Sequence, residues 1–288
     1  MNIYDIAKLA NVSIATVSRV VNNSPKVSPK TKEKVLTVMK ENEYTPNAFA
    51  RGLGLGSMKT VGIICPNIDD IYMAKAVSYL ERNLHAHGYD CILGCSGFKQ
   101  EEKENYVRLL LSKKIDTLIL VGSTYAGNGK DESDTDYIRE AAEQVSIFMI
   151  NAKVSGDNIY CTYADDFQAT YEVTKAFIRR GKEKILFMYD SESYSARQKM
   201  AGYEAALQDA GYPIRGNLKF KTRNDIEYTR DMLLEYNRTL DFDSVLATED
   251  GIAIGAVKYA KIKGLVIPEE LAVAGYNNSI LAISSDPE

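Results

Sequence analysis

Apolar residues recur along the chain in two distinct rhythms, and the change between them falls near residue 60. Residues 1–46 contain no strand-like run. Apolar positions there return every three or four residues, as one face of a helix requires. The pattern predicts a helix from Tyr4 to Ala10, a tight turn at Asn11–Val12, and a second helix capped by Ser13 and running to about Asn22. Asn23–Ser24–Pro25 breaks it, and Ser28 followed by Pro29 starts a third helix whose apolar face is Val35, Val38 and Met39. In the second helix Val17, Val20 and Val21 share a face that is expected to pack on Ile6 and Leu9 of the first.

From Val61 onward, short apolar runs alternate with amphipathic segments. Strands are predicted at Val61–Cys65, Cys91–Gly94, Leu118–Val121, Ile147–Ile150, Ile185–Tyr189, Val245–Ala247 and Ala272–Gly275. Helices are predicted near Met73–His87, Glu101–Ser112, Tyr137–Glu143, Phe167–Arg180, Arg197–Ala210, Tyr228–Tyr236 and Ile252–Lys263. Such alternation implies parallel sheets with helices on both faces. A gap near Asn151–Asp165 divides the body into two similar halves. The expected fold is α/β: a three-helix head, then two doubly wound parallel-sheet subdomains. Boundaries are drawn at 1–46 for the head, 47–58 for a linker and 59–288 for the body, split at about 59–161 and 162–288. Two such halves facing each other place a ligand cleft at the carboxyl ends of their strands.

Charge sharpens this division. The chain carries a net −4, but residues 1–60 hold nine Lys/Arg and only four acids, leaving the head at +5 and the body at −9. A basic head on an acidic body suggests a polyanion-binding end. The polar face of the second helix is Ile14, Ala15, Ser18, Arg19 and Asn22, small enough to enter a major groove. Arg19 suits a guanine edge, Ile14 and Ala15 suit a thymine methyl, and Thr16 and Ser18 suit phosphates. A small bundle with a merely solvated polar face fits these residues as well, and composition alone does not choose.

The strand ends nominate the ligand residues. Asp69, Asp70 and Tyr72 follow the first strand of the body, Ser123 the third and Asn151 the fourth. Glu249–Asp250 and Asn277 end two strands of the second half, and Arg197 opens a helix after its first strand. Pro66–Asn67–Ile68 is wrong for a dinucleotide loop, and neither a nucleophile elbow nor a metal pair occurs, so no catalytic residue, metal or cofactor is expected. The four cysteines read as buried or strand-end thiols. Met1–Asn2–Ile3–Tyr4–Asp5 lacks the basic and apolar regions of a signal peptide, and no apolar run is long enough to span a bilayer. The expectation is a cytoplasmic protein with no membrane partner.

Residues 3–53 closely resemble the lactose/galactose repressor family. The matching strings are Ile3–Tyr4–Asp5–Ile6–Ala7, Val12–Ser13, Ala15–Thr16–Val17–Ser18–Arg19–Val20–Val21–Asn22, Val27–Ser28–Pro29–Lys30–Thr31 and Tyr44–Thr45–Pro46–Asn47–Ala48–Phe49–Ala50–Arg51–Gly52–Leu53. The resemblance implies a helix-turn-helix head that reads a palindromic operator as a homodimer, with Ser13 and Asn22 joining the groove-facing residues. It implies a hinge helix in which Leu53, flanked by Ala50 and Arg51, wedges into the minor groove. Gly54 and Gly56 depart from the better helix formers usual there. More loosely, the body resembles the family's effector core, itself similar to periplasmic sugar-binding proteins. Its anchors are Val61–Gly62–Ile63–Ile64, Ser195–Ala196–Arg197, Ala201–Gly202–Tyr203, Ala253–Ile254–Gly255–Ala256 and Ala274–Gly275–Tyr276–Asn277.

On that resemblance the chain is a transcriptional repressor controlled by a small, sugar-like effector, and Arg197 is an effector ligand. Asn151 and Asn277 stand where family members often carry Asp, and Glu249 where they carry Asn or Thr. Family members also continue past Ser285–Asp286–Pro287–Glu288 with a strand and helix that return to the first half, so either the C-terminus is truncated or the first half is completed some other way. The alternative reading is a sugar-binding protein of the periplasmic type without DNA function.

Overall fold

The computed structural model describes residues 1–45, 57–128, 131–236, 239 and 241–287. Three helices open the chain: α1 (Ile3–Leu9), α2 (Ile14–Val21) and α3 (Pro29–Glu41). Each start is fixed by a side chain that satisfies otherwise orphan N–H groups. Asn2 and Asp5 form a reciprocal capping box on α1, while the Ser13 and Ser28 hydroxyls accept from Thr16 N and Thr31 N. Ile6, Ala7, Ala10, Val17, Val20, Val35 and Met39 fill the space between the helices. Leu9, expected beneath α2, is exposed, and Ala10 takes its place. The reason is helical phase: Ile3, Ile6, Ala7 and Ala10 define the inward face of α1, and at about 100° per residue Leu9 falls roughly 110° from its centre.

The body holds two fully parallel sheets. The first runs β2–β1–β3–β4–β5, from β1 (Thr60–Cys65), β2 (Asp90–Cys95), β3 (Thr117–Val121), β4 (Ser146–Ile150) and β5 (Ile159–Thr162). Helix α4 (Ile71–Ala86) covers one face; α5 (Gln100–Ser112) and α6 (Asp136–Ala142) cover the other. The second sheet runs β7–β6–β8–β9, from β6 (Ile185–Tyr189), β7 (Lys219–Lys221), β8 (Ser244–Ala247) and β9 (Ala272–Ala274). Helices α7 (Asp166–Arg179) and α8 (Tyr194–Asp209) pack on one face, α9 (Ile226–Tyr236) and α10 (Asp250–Lys263) on the other. A last short helix, α11, spans Ile280–Ile283.

Two strands depart from the sequence reading. β5 lies inside the expected gap at Asn151–Asp165, and β7 was not anticipated. Both are edge strands with half-exposed, partly polar residues, so neither shows the continuous apolar run of a strand buried on both faces. Helix α8 begins at Tyr194 with Ser193 as its cap, so Arg197 sits within the helix and does not open it. Gly202 of α8 is where α7 comes closest: a Cβ there would overlap the carbonyl of Phe167. Asp116 ties down the entry to the body, accepting from the Ser57 hydroxyl at 2.8 Å and the Met58 N–H at 2.9 Å. Among the described residues, no helix is long and apolar enough to cross a membrane.

Candidate DNA-binding head and effector cleft

Helix α2 is anchored from below by Val17 and Val20 and turns a polar face outward. Ser13, Ile14, Ala15 and Arg19 are exposed; Thr16, Ser18 and Asn22 are half-buried. The Ser13 hydroxyl is partly used locally, accepting from Thr16 N and bonding the Thr16 hydroxyl at 2.9 Å. Asn22 caps the carboxyl end of α2, and its buried Oδ1 has no protein partner. Ala50, Arg51 and Leu53 lie outside the described residues.

A cleft of about 800 Å³ opens between the two halves, at the carboxyl ends of their strands. Doubly wound sheets place ligands there because the loops that follow the strands converge at that end. Asp69, Asp70, Tyr72, Ser123, Asn151, Glu249, Asp250 and Asn277 all line it. Arg197 does not, which corrects the expectation of an effector-binding arginine. Ser195, Ala196 and Lys199 of α8 are the lining residues. At about 100° per residue, Arg197 points roughly 200° away from Lys199.

The same pattern of head and body is found in known proteins. Residues 2–47 match the family described as bacterial regulatory proteins of the lacI family. Residues 58–284 match the periplasmic binding proteins and sugar binding domain of the LacI family. The chain belongs to the LacI family. A regulator from Lachnoclostridium phytofermentans, described as an HTH-type transcriptional regulator, is 47% identical over all of this chain and 86% of its own length. Catabolite control protein A of Priestia megaterium is 30% identical over 100% of this chain and 86% of its own. Among solved structures, the lac repressor dimer bound to operator and the anti-inducer ONPF superposes with a TM-score of 0.85 at 22% identity, covering 99% of this chain and 84% of that one.

This LacI-family chain is therefore a DNA-binding transcriptional regulator with a periplasmic-binding-protein-like effector domain. The reading without DNA function falls with the match over residues 2–47.

The charge chemistry of the LacI-family cleft is concentrated in its second half. Lys199 is buried, donates to the Thr248 carbonyl at 3.0 Å, stands 3.6 Å above the centre of the Tyr276 ring and lies 3.9 Å from Glu249. Burial lowers its pKa, opposed by Glu249, Asp166, Asp190 and Asp250. Burial pushes the Glu249 carboxyl up to about 8, with Lys199 pulling the other way. Asn277 Nδ2 donates to Glu249 at 2.7 Å, and Ser279 N donates to Asp250 at 2.6 Å. Asp190 is raised by burial, again against Lys199. Tyr276 donates to Asp166, which joins the start of α7 to the loop after β9.

The first half is more open. Asp70 caps α4, accepting from Met73 N at 2.9 Å, and Asp69 is exposed. Gly122, at φ 126°, adopts a conformation that a side chain disfavours and brings the β3 loop against Pro66 and Met73. The Tyr72 hydroxyl is raised by burial and then by Asp166, Asp70 and Glu249, so this first-half side chain sits in the field of second-half acids.

Sequence reasoning passed over Asp190, Ser195, Lys199, Asn224 and Thr248, all of which line the cleft. Asp190 and Thr248 were within reach, since each directly follows a predicted strand. Lys199 required the phase of α8: it stands four residues after Ser195, on the same face.

Proposed function

We propose that this protein is a cytoplasmic repressor that binds a palindromic operator as a homodimer and releases or holds it according to a sugar-like effector in the cleft. The observation that carries the reading is the outward face of α2: Arg19, Ile14 and Ala15 stand exposed on a helix whose other side is locked into the head by valines. Ser13, Thr16, Ser18 and Asn22 complete the proposed groove-facing set, since serine and threonine hydroxyls are chemically suited to phosphates. Ala50, Arg51 and Leu53 supply a minor-groove wedge between two half-sites. The relatives support operator binding and dimerisation, since the superposing lac repressor is a dimer on operator. The family description supports a sugar ligand, as does the cleft's polar lining. The cleft residues proposed to touch the effector are Asp69, Asp70, Tyr72, Ser123, Asn151, Glu249, Asp250 and Asn277, joined by Lys199.

Selection of binding sites from a random DNA pool tests this, followed by footprinting of the winners. Two inverted half-sites protected as one unit are expected, with occupancy shifted by a sugar. Asymmetric single sites, or no enrichment, overturn the repressor reading.

A further inference from the structure

The charge of the cleft and the state of its helix ends define the chemistry of the effector; this rests on the cleft being the effector site. Seven acidic side chains line it, Glu249 among them with its carboxyl pushed up to about 8, against only two ammonium groups, and no arginine does so among the described residues. One of the two cations, Lys199, is already committed to Thr248, Tyr276 and Glu249. The other, Lys75, lies exposed on α4.

Proteins hold phosphates and carboxylates with arginine forks or with free N–H groups at helix N-termini. Here three of those N-termini carry a side-chain cap. Met73 N of α4 is taken by Asp70, Tyr228 N of α9 by Asp225, and Ala196 N of α8 by the Ser193 hydroxyl. The N-terminus of α10 has no side-chain cap, but Asp250 places a carboxylate in its first turn. An arriving anion would meet carboxylates where an anion site presents donors.

A second observation says what the cleft does accept. Ser195 and Thr248 line it, are 4% and 2% exposed, and their buried hydroxyl oxygens have no protein partner. Each hydroxyl both donates and accepts, whereas a carboxylate only accepts. A ligand that satisfies this set must itself be rich in O–H donors.

We propose that the effector is a sugar carrying neither phosphate nor carboxylate, its hydroxyls donating to Asp69 and Asp190 and pairing with Ser195 and Thr248. The acidic lining works as a filter that rejects the phosphorylated form of the same sugar, because a like charge in a partly desolvated cleft is repelled.

The test is a thermal-shift and calorimetry panel on the full chain at constant ionic strength. It pairs glucose, galactose, cellobiose and N-acetylglucosamine with their phosphates, and adds glucuronate, galacturonate, nucleobases and amino acids. Hits are expected among uncharged or amine-bearing sugars, each binding at least about a hundredfold tighter than its phosphate. Asp69→Asn, exposed and tolerable to the fold, should narrow that gap, and Asp69→Asn with Asp190→Asn should narrow it by about tenfold or more. A phosphorylated sugar or sugar acid as the strongest hit, or a gap unchanged in both variants, overturns the filter while leaving the sugar reading intact. Hits confined to nucleobases or amino acids, or no hit at all, overturn both.

Discussion

The head and the cleft are both polar surfaces, but they hold their charge in opposite ways. Arg19 is exposed on a helix whose stability comes from Val17 and Val20 beneath it. Lys199 is 4% exposed, within a set of carboxylates that burial makes costly to ionise. An exposed charge can be removed without disturbing the fold, so in the head function and stability separate. A buried charge is part of the packing, so in the cleft they are coupled. The head can thus exchange partners along DNA at little cost to itself, whereas a change of charge at the buried Lys199 also disturbs the packing around it.

The largest test of that contrast lies on one helix. Lys199→Met leaves the neighbouring acids without their cation and should destabilise the protein by about 2–4 kcal/mol, abolishing the effector response as well. Arg197→Met, two residues away and turned from the cleft, should change effector affinity less than about twofold and stability by no more than ~0.5 kcal/mol. Chemical denaturation with titration of a cleft ligand checks both. Equal effects from the two variants would erase the distinction drawn on the phase of α8.

The head supplies the converse. Arg19→Ala should weaken a selected operator by about 1–3 kcal/mol, roughly 5- to 150-fold, and relax the choice of base at one position in each half-site. Its melting temperature should hold, because the side chain is exposed and outside the valine-anchored core of the trio. Fluorescence anisotropy on operators varied one base at a time reads the first effect, and a thermal melt reads the second. A variant that loses stability with affinity would place Arg19 in the structure of the head instead.

The same contrast explains what could be read from the chain. Caps are local, so Asn11–Val12–Ser13 and Ser28–Pro29 announced α2 and α3 directly. Strand ends are nearly as local, which is why Asp69, Ser123, Asn151, Glu249 and Asn277 could be nominated without knowing the fold. Lys199 could not, because a lysine in an amphipathic helix ordinarily reads as solvated, and only the folded chain brings it against the Thr248 carbonyl and the Tyr276 ring. Leu9 misled for the related reason that hydrophobicity identifies a core candidate but helical phase decides which face it occupies. β5 and β7 lie at sheet edges, where half-exposed residues erase the apolar run that betrays a central strand.

The smallest expected effect sharpens the claim that cleft charge is coupled to the fold. The Glu249 carboxyl is held at about 8 by burial, against an ordinary 4.5. The folded chain therefore keeps a proton that the unfolded chain releases near pH 4.5, and this group lowers stability as pH rises from about 4.5 to about 8. Glu249→Gln mimics the protonated acid and removes the titration. Below pH 5 the variant should match the parent; its relative stability should then climb with pH and level off above about 8, by on the order of 1 kcal/mol after allowance for the partial exposure of Glu249 and its attraction to Lys199. Urea denaturation of both proteins at pH 5, 7 and 9 measures that difference. If it stays flat across the series, the carboxyl ionises freely in the folded state, and the buried charge of the cleft is no more tied to stability than the arginine on the head.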